Sequence, residues 1–147
     1  MSRTRPTRAD YAYWETVTTR WADIDVYGHM NNARYFEIID TVVNNHLVSA
    51  TGVDIRELDA IGVVAEVGCR YFAEIGYPDP IEVGVVVDRL GTSSVSYRVG
   101  LFQGPGEEAA AEGTFVHVYV DNTDPARPST PIPDAVRAAV SPLLRPA

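Results

Sequence analysis

The chain has a single cysteine in 147 residues, Cys69, so an intrachain disulfide is impossible and a multi-cysteine metal site is excluded. The lack of disulfides fits a reducing compartment. Positive charge is also scarce: 12 basic residues against 20 acidic ones leave a net charge of −8, so no overall basic field exists for nucleic acid or an anionic lipid surface. An anionic ligand would have to be held by a local group of arginines. No apolar run approaches the ~18 residues that span a bilayer, and the N-terminal arginines are not followed by the apolar stretch of a secretory signal. A cytoplasmic protein with no membrane and no nucleic-acid partner is therefore expected. Apolar residues at 46% and charged residues at 22% are ordinary for a globular chain. The length suits one domain that buries roughly 70% of its unfolded surface.

Residues 1–12 read as a polar N-terminal tail, with the first ten expected to be disordered, and 13–147 as a single domain. Tyr13 to Arg20, with Trp14, Thr16, Val17, Thr18 and Thr19, suits a strand. A loop rich in Asp, Gly and Asn follows. Asn31 is positioned as an N-cap, and from Asn32 to about Ala50 there is neither Gly nor Pro. Tyr35, Phe36, Ile38, Ile39, Val42, Val43 and Leu47 make a wide apolar stripe, which predicts a helix packed deeply on a sheet. Gly52 is the expected stop, and Asp54 to Ala60 a short helical turn. From Ile61 the period becomes two: Val63, Ala65, Val67, Cys69 and Tyr71 alternate with Val64, Glu66, Gly68, Arg70 and Phe72. Further strands are predicted over Ile81–Asp88, Val95–Leu101 and Phe115–Val120, and a terminal helix over Pro133 to about Leu144, with Pro133 in its first turn. Hairpin-length connections among the last four strands imply mainly antiparallel pairing. The fold class is α+β, with a curved five-stranded sheet around one long helix.

The densest chemistry lies in Arg20-Trp-Ala-Asp-Ile-Asp-Val-Tyr-Gly-His-Met-Asn-Asn-Ala-Arg-Tyr35. Two aspartates, a glycine, a histidine and two asparagines directly precede the long helix. A carboxylate beside a helix N-terminus sits where free N–H groups can bind a developing negative charge, which suits attack on a carbonyl. The alternative for Asp25 is a turn or capping aspartate. Asp23 and Asp25, two apart in extended chain, could instead form a divalent-metal pair, but no further acidic ligand set lies nearby. Asp23 is read as a loop-fixing residue, and no metal is expected.

The order Asp-x-Asp-x-x-Gly-His-x-Asn-Asn, then the helix beginning Ala33-Arg-Tyr-Phe36, resembles the hotdog-fold acyl-CoA thioesterases of the 4-hydroxybenzoyl-CoA thioesterase-like group. Asp88-Arg-Leu-Gly-Thr-Ser-Ser94 and the tail Arg127-Pro…Pro131-Ile-Pro133 match in order, and the resemblance covers about residues 13–145. It implies a hotdog fold and hydrolysis of an acyl-CoA thioester to a carboxylic acid and free CoA. It places the catalytic carboxylate on Asp25, as nucleophile or general base, and the oxyanion donor on the backbone N–H of Asn32 or a close neighbour. It also implies a homodimer or homotetramer with sheets joined side by side and sites at the subunit interface. His29 would donate a hydrogen bond to the thioester or hold the loop. Tyr27, Gly28, Asn31 and Tyr35 are candidate substrate contacts, Gly28 also for a turn or close approach and Asn31 also as the cap. Phe36 and Ile39 could join Tyr35 in lining the acyl pocket, although a plain core role suits them as well. For the CoA phosphates the candidate patch is Arg89 with Thr92, Ser93 and Ser94, with Arg70 and Arg127 as additions. His46 and His117 read as packed or interface histidines. CoA would enter as part of the substrate and no cofactor is expected. Two rivals share the fold: a non-catalytic module that binds an acyl thioester, and a thioesterase acting on an acyl-pantetheine arm of acyl carrier protein. A hydratase of this fold would need an Asp-x-Asn-Pro-x-His pattern, which Asp25-Val-Tyr-Gly-His29 lacks.

Overall fold

The computed structural model describes residues 4–146. Its strands are β1 (Tyr13–Val17), β2 (Ala60–Tyr71), β3 (Ile81–Leu90), β4 (Ser94–Gln103) and β5 (Ala111–Asp121), and its helices α1 (Asn32–Thr51) and α2 (Asp134–Val140). The strands form one sheet in the order β1-β3-β4-β5-β2 with every pair antiparallel. Helix α1 lies on one face of it.

Helix α1 starts and stops where the sequence predicts. The Asn31 side chain accepts the Ala33 N–H, and Gly52 closes the helix in the left-handed region at φ 69°. Ile38, Ile39, Val42, Val43 and Leu47 are buried against Val83, Val85, Tyr97, Val99 and Phe115 of the sheet. At about 2 kcal/mol for each large aliphatic side chain removed from water, this seam contributes on the order of 10 kcal/mol. Gly113 of β5 lets the helix come close, because a Cβ there would collide with Ile39 Cδ1. The opposite face carries a smaller cluster of Tyr11, Val86, Phe102 and Ala109. Tyr11 lies across Gly84 and Gly100, which face each other in neighbouring strands, and its hydroxyl donates to Glu112 at 2.5 Å.

Four expectations need correction. The N-terminal segment is docked rather than free from at least Arg5 onward: Arg5 donates to the Ala109 carbonyl at 2.7 Å, Thr7 pairs with Glu108, and the Arg8 guanidinium stacks 4.9 Å over Phe102. Its arginines cover apolar surface with their stems and π-faces, which a reading by polarity misses. Residues 1–3 of the expected tail lie outside the described residues. Strand β2 carries a bulge between Val64 and Glu66. The side-chain phase therefore flips, so that Val64, Val67, Cys69 and Tyr71 share the face of α1, and Val63 does not. Strand β5 begins at Ala111, four residues before the expected start, because Ala111 to Thr114 are too small and mixed to show alternation. Helix α2 ends at Val140, with Pro133 as its N-cap, and gives way to a 3-10 turn over Ser141–Leu143. Pro142 has no N–H with which to continue the helix.

Candidate active site

Residues 24–30 form a small closed loop. Ile24 bridges Met30, Asp25 N–H donates to the His29 carbonyl at 2.8 Å, and Gly28 N–H returns to the Asp25 carbonyl at 3.1 Å. Gly28 adopts φ 85°, a conformation that costs an L side chain about 1–2 kcal/mol. No atom lies within 4 Å of the place where its Cβ would stand, so the glycine serves the turn and does not relieve crowding. The loop is tied down at its base: Met30 N–H donates to the Ile75 carbonyl at 2.9 Å and Asn31 N–H to the Asp23 carbonyl at 2.7 Å.

Asp23 and Asp25 have different surroundings. Asp23 is buried, 3% exposed, and its carboxylate accepts the Arg20 N–H at 2.8 Å and the Arg20 guanidinium at 2.7 and 2.9 Å. Arg34 Nε lies 3.3 Å away, close enough for charge attraction but not aligned as a hydrogen bond. Burial pushes the Asp23 carboxyl up, but the Arg20 hydrogen bonds and the Arg34 charge outweigh it and hold the group below the usual carboxylate range. Asp23 thus anchors the loop to α1. Asp25 is half-buried. Its Oδ1 accepts the N–H groups of Tyr27 at 2.8 Å and His29 at 3.2 Å. Among the described residues its Oδ2 has no partner.

Asp25, His29, Asn32 and Tyr35 line one open cleft of about 450 Å³, together with Met30 and the segment Tyr71–Glu74. In the first turn of α1 the Ala33 N–H is taken by the Asn31 side chain and the Arg34 N–H by the Asn31 carbonyl. The Asn32 N–H has no acceptor among the described residues, which leaves an unsatisfied donor at the helix N-terminus in the wall of the cleft.

Two residues of the cleft have no signal in the sequence. Glu74 pairs with His29 through Nε2 and Oε2 at 3.0 Å. The Tyr71 hydroxyl donates to Asn32 Oδ1, which leaves the Asn32 amide nitrogen as the group free to donate. Tyr71 packs edge-on against Tyr35 with ring centroids 4.9 Å apart. Burial, with the neighbouring Cys69, raises both phenols to about 12, and burial raises the Cys69 thiol to about 11, so this wall is uncharged at neutral pH. Both contacts join positions about forty residues apart, and only the fold brings them together.

Other candidates lie elsewhere. Tyr27 and Gly28 are exposed on the outer side of the loop, and the Asn31 side chain is spent on the cap. Ile39 is in the core against Gly113. Arg89, Thr92, Ser93 and Ser94 sit at the β3–β4 turn, where the Thr92 and Ser93 carbonyls accept from Ile132 and Tyr119. That turn is at the opposite end of the sheet from Asp25, so a single chain does not join the arginine patch to the cleft. Arg70 lies exposed on β2 beside Glu112, and Arg127 borders a second cavity at the end of the sheet that carries that turn.

The profile of the thioesterase-like superfamily matches residues 19–140. The chain belongs to this superfamily. The PA5185 protein from Pseudomonas aeruginosa is 41% identical over 98% of this chain and 99% of that one, with a TM-score of 0.91. A thioesterase from Thermus thermophilus, solved with coenzyme A and zinc, is 26% identical over 91% of this chain and 95% of its own, with a TM-score of 0.75. A 1,4-dihydroxy-2-naphthoyl-CoA thioesterase from Synechocystis shares the fold at 14% identity, a TM-score of 0.78, and coverage of 88% and 95%. No curated protein matches the sequence. The curved antiparallel sheet with its long helix is the hotdog fold of these thioesterases. No helix of the described residues is long and apolar enough to cross a membrane.

Proposed function

We propose that this superfamily member is an acyl-CoA thioesterase, with Asp25 as its catalytic carboxylate and the N-terminus of α1 as its oxyanion site. The observation that carries the reading is that the unpartnered oxygen of Asp25 and the unpartnered N–H of Asn32 belong to residues lining one cleft. Capture of the thioester carbonyl oxygen by that N–H, with the Asn32 amide beside it, would stabilise the tetrahedral oxyanion; one such donor is worth about 3–4 kcal/mol in other hydrolases. Asp25 then acts in one of two ways. It attacks the carbonyl carbon and expels CoA thiolate, and water cleaves the resulting anhydride and restores the carboxylate. Alternatively it takes a proton from the water that attacks. The His29–Glu74 pair stands at the same cleft, where Glu74 holds the His29 ring through Nε2.

The rest of the machinery is proposed to come from a second copy. Strand β2 is twelve residues long and forms one edge of the sheet; Val64 and Val67 on its helix side are 49% and 42% exposed. A long apolar edge is a template for pairing. Antiparallel pairing of β2 with its own copy would make a continuous sheet and turn the partner's β3–β4 end, with the partner's Arg89, toward the cleft. CoA, entering as substrate, would then meet a basic group that one chain does not supply.

Release of free thiol from a panel of aliphatic and aromatic acyl-CoAs tests the reading. Turnover by the wild type that is lost in a folded Asp25→Asn variant supports it. Saturable acyl-CoA binding without turnover would instead identify a binding module. Turnover with acyl carrier protein thioesters but not with CoA esters would move the substrate to the carrier.

A further inference from the structure

The second cavity, of about 360 Å³, lies between the C-terminal half of α1, the Ile55–Leu58 segment, the start of β2 and the end of β5. This is within the size range of small-molecule sites, about 300–1,000 Å³. Leu47, Leu58 and Val136 give it apolar walls, Arg56 and Arg127 add two cations, and His117 lines it too. His117 is 3% exposed, and its Nδ1 has no hydrogen-bond partner. The nitrogen faces Gly62, where an added Cβ would stand 3.2 Å from it. The Tyr97 hydroxyl, on a ring 5.9 Å from the imidazole, is also buried and unpartnered. A buried polar atom without a partner costs about 1–3 kcal/mol, and the cavity leaves room for a ligand to supply one. Burial lowers the His117 pKa to about 4, so at neutral pH the ring is uncharged, with one N–H donor and one acceptor nitrogen.

Distance decides which catalytic centre the cavity could serve. In one chain Gly62 and Tyr71 are nine residues apart along β2, roughly 30 Å at the rise of a strand. An acyl group held at Asp25 would have to run the length of the strand to reach its own His117. If the proposed antiparallel pairing of β2 with its copy is centred on the strand's midpoint, Ala60 stands opposite the partner's Tyr71. Ala60, which lines the cavity, then stands one strand spacing, about 5 Å, from the partner's Tyr71, which lines the cleft.

We infer that this cavity receives the far end of the acyl group whose thioester is held at the partner's Asp25, and that His117 selects acyl groups carrying a hydroxyl or carbonyl oxygen at that end. The inference rests on the thioesterase reading and on the dimer proposed with it.

The experiment compares ω-hydroxyacyl-CoAs of increasing chain length, each against its unsubstituted counterpart, with the full-length wild type, His117→Phe, and a mixed dimer of His117→Phe with Asp25→Asn isolated by two affinity tags. At the chain length that spans the two sites, the wild type is expected to favour the hydroxylated substrate in kcat/KM by about ten-fold or more, the worth of one buried hydrogen bond. His117→Phe should lose that preference. The mixed dimer should regain it, because one of its sites joins an intact Asp25 to an intact His117 from the other subunit. Wild-type turnover without any such preference, a preference that survives in His117→Phe, or a mixed dimer that stays unselective would overturn the inference and leave the thioesterase reading standing. No turnover of either series by the wild type would remove both. Should His117→Phe fail to fold, His117→Gln, with a nearer hydrogen-bonding capacity, is read by the same ratio and is expected to retain part of it.

Discussion

At the scale of single residues, two aspartates two positions apart are held in different ways because their partners differ. Asn at position 25 keeps an Oδ1 that accepts the Tyr27 and His29 N–H groups, so Asp25→Asn should fold and lose at least about 10²-fold in kcat, as expected for removal of a principal catalytic group. Asp23→Asn takes from Arg20 and the half-buried Arg34 the charge that ties them to the loop and leaves them only Glu37; it should destabilise the fold by about 2 kcal/mol in urea unfolding, with any fall in kcat following from loop disorder. Reversal of these two phenotypes would mean that the chemistry had been assigned to the wrong carboxylate. His117 makes a separate prediction about pH. Its folded pKa is depressed from 6.5 to about 4, so between these values the unfolded chain takes up a proton that the folded chain refuses. Stability should therefore fall as pH drops through this window, by about 3 kcal/mol from this group alone, with no further loss from it below about pH 4. His46, lowered by burial in the same direction, adds to the slope. Denaturant unfolding of His117→Phe across the window should show a shallower slope; an unchanged slope would show that the imidazole is not held neutral in the fold.

At the scale of elements, the site is a loop clamped onto the end of a helix. Its conformation depends on Gly28 and its junction with the helix on Asn31. Gly28→Ala puts a side chain at φ 85°; a loss of about 1–2 kcal/mol in stability is expected, and kcat should fall with it because Asp25 Oδ1 is held by the same turn. Asn31→Ala should cost about 1 kcal/mol from the lost cap, which thermal unfolding would detect. It also frees the Ala33 N–H, so any activity it retains would come from a helix start with one more open donor. The sequence exposed this element well: the N-cap, the helix, its buried stripe and the αL glycine at its end are all local chemistry. Strand β2 was less legible. A one-residue bulge at its middle reverses the side-chain phase, and the bulge leaves no mark in a run of Val, Ala, Glu and Gly. As a result the apolar row that faces the helix side of the open edge is Val64, Val67, Cys69 and Tyr71, not the row that strict alternation predicts.

At the scale of the whole molecule, one chain presents a cleft at one end of β2 and a cavity at the other, with an unpaired edge between them. If the active assembly forms along that edge, Val67→Lys should shift the protein to monomer in sedimentation and lower activity along with the dimer fraction, by about ten-fold or more at micromolar protein. A folded, fully active monomeric variant would refute assembly through β2. The sequence by itself determined the class of the fold, the place of the long helix, and the loop before it that borders the cleft, because helix caps, periodicity and turn residues act over a few neighbouring positions. Only the tertiary structure decided the rest. It sent Asp23 to Arg20 and Arg34 while leaving an oxygen of Asp25 free. It brought Glu74 to His29 and Tyr71 to Asn32, and it placed Arg89, Thr92, Ser93 and Ser94 at the far end of the sheet. The physical reason is that these contacts join positions far apart in sequence, or depend on which partner captures a carboxylate first, and no local pattern encodes either.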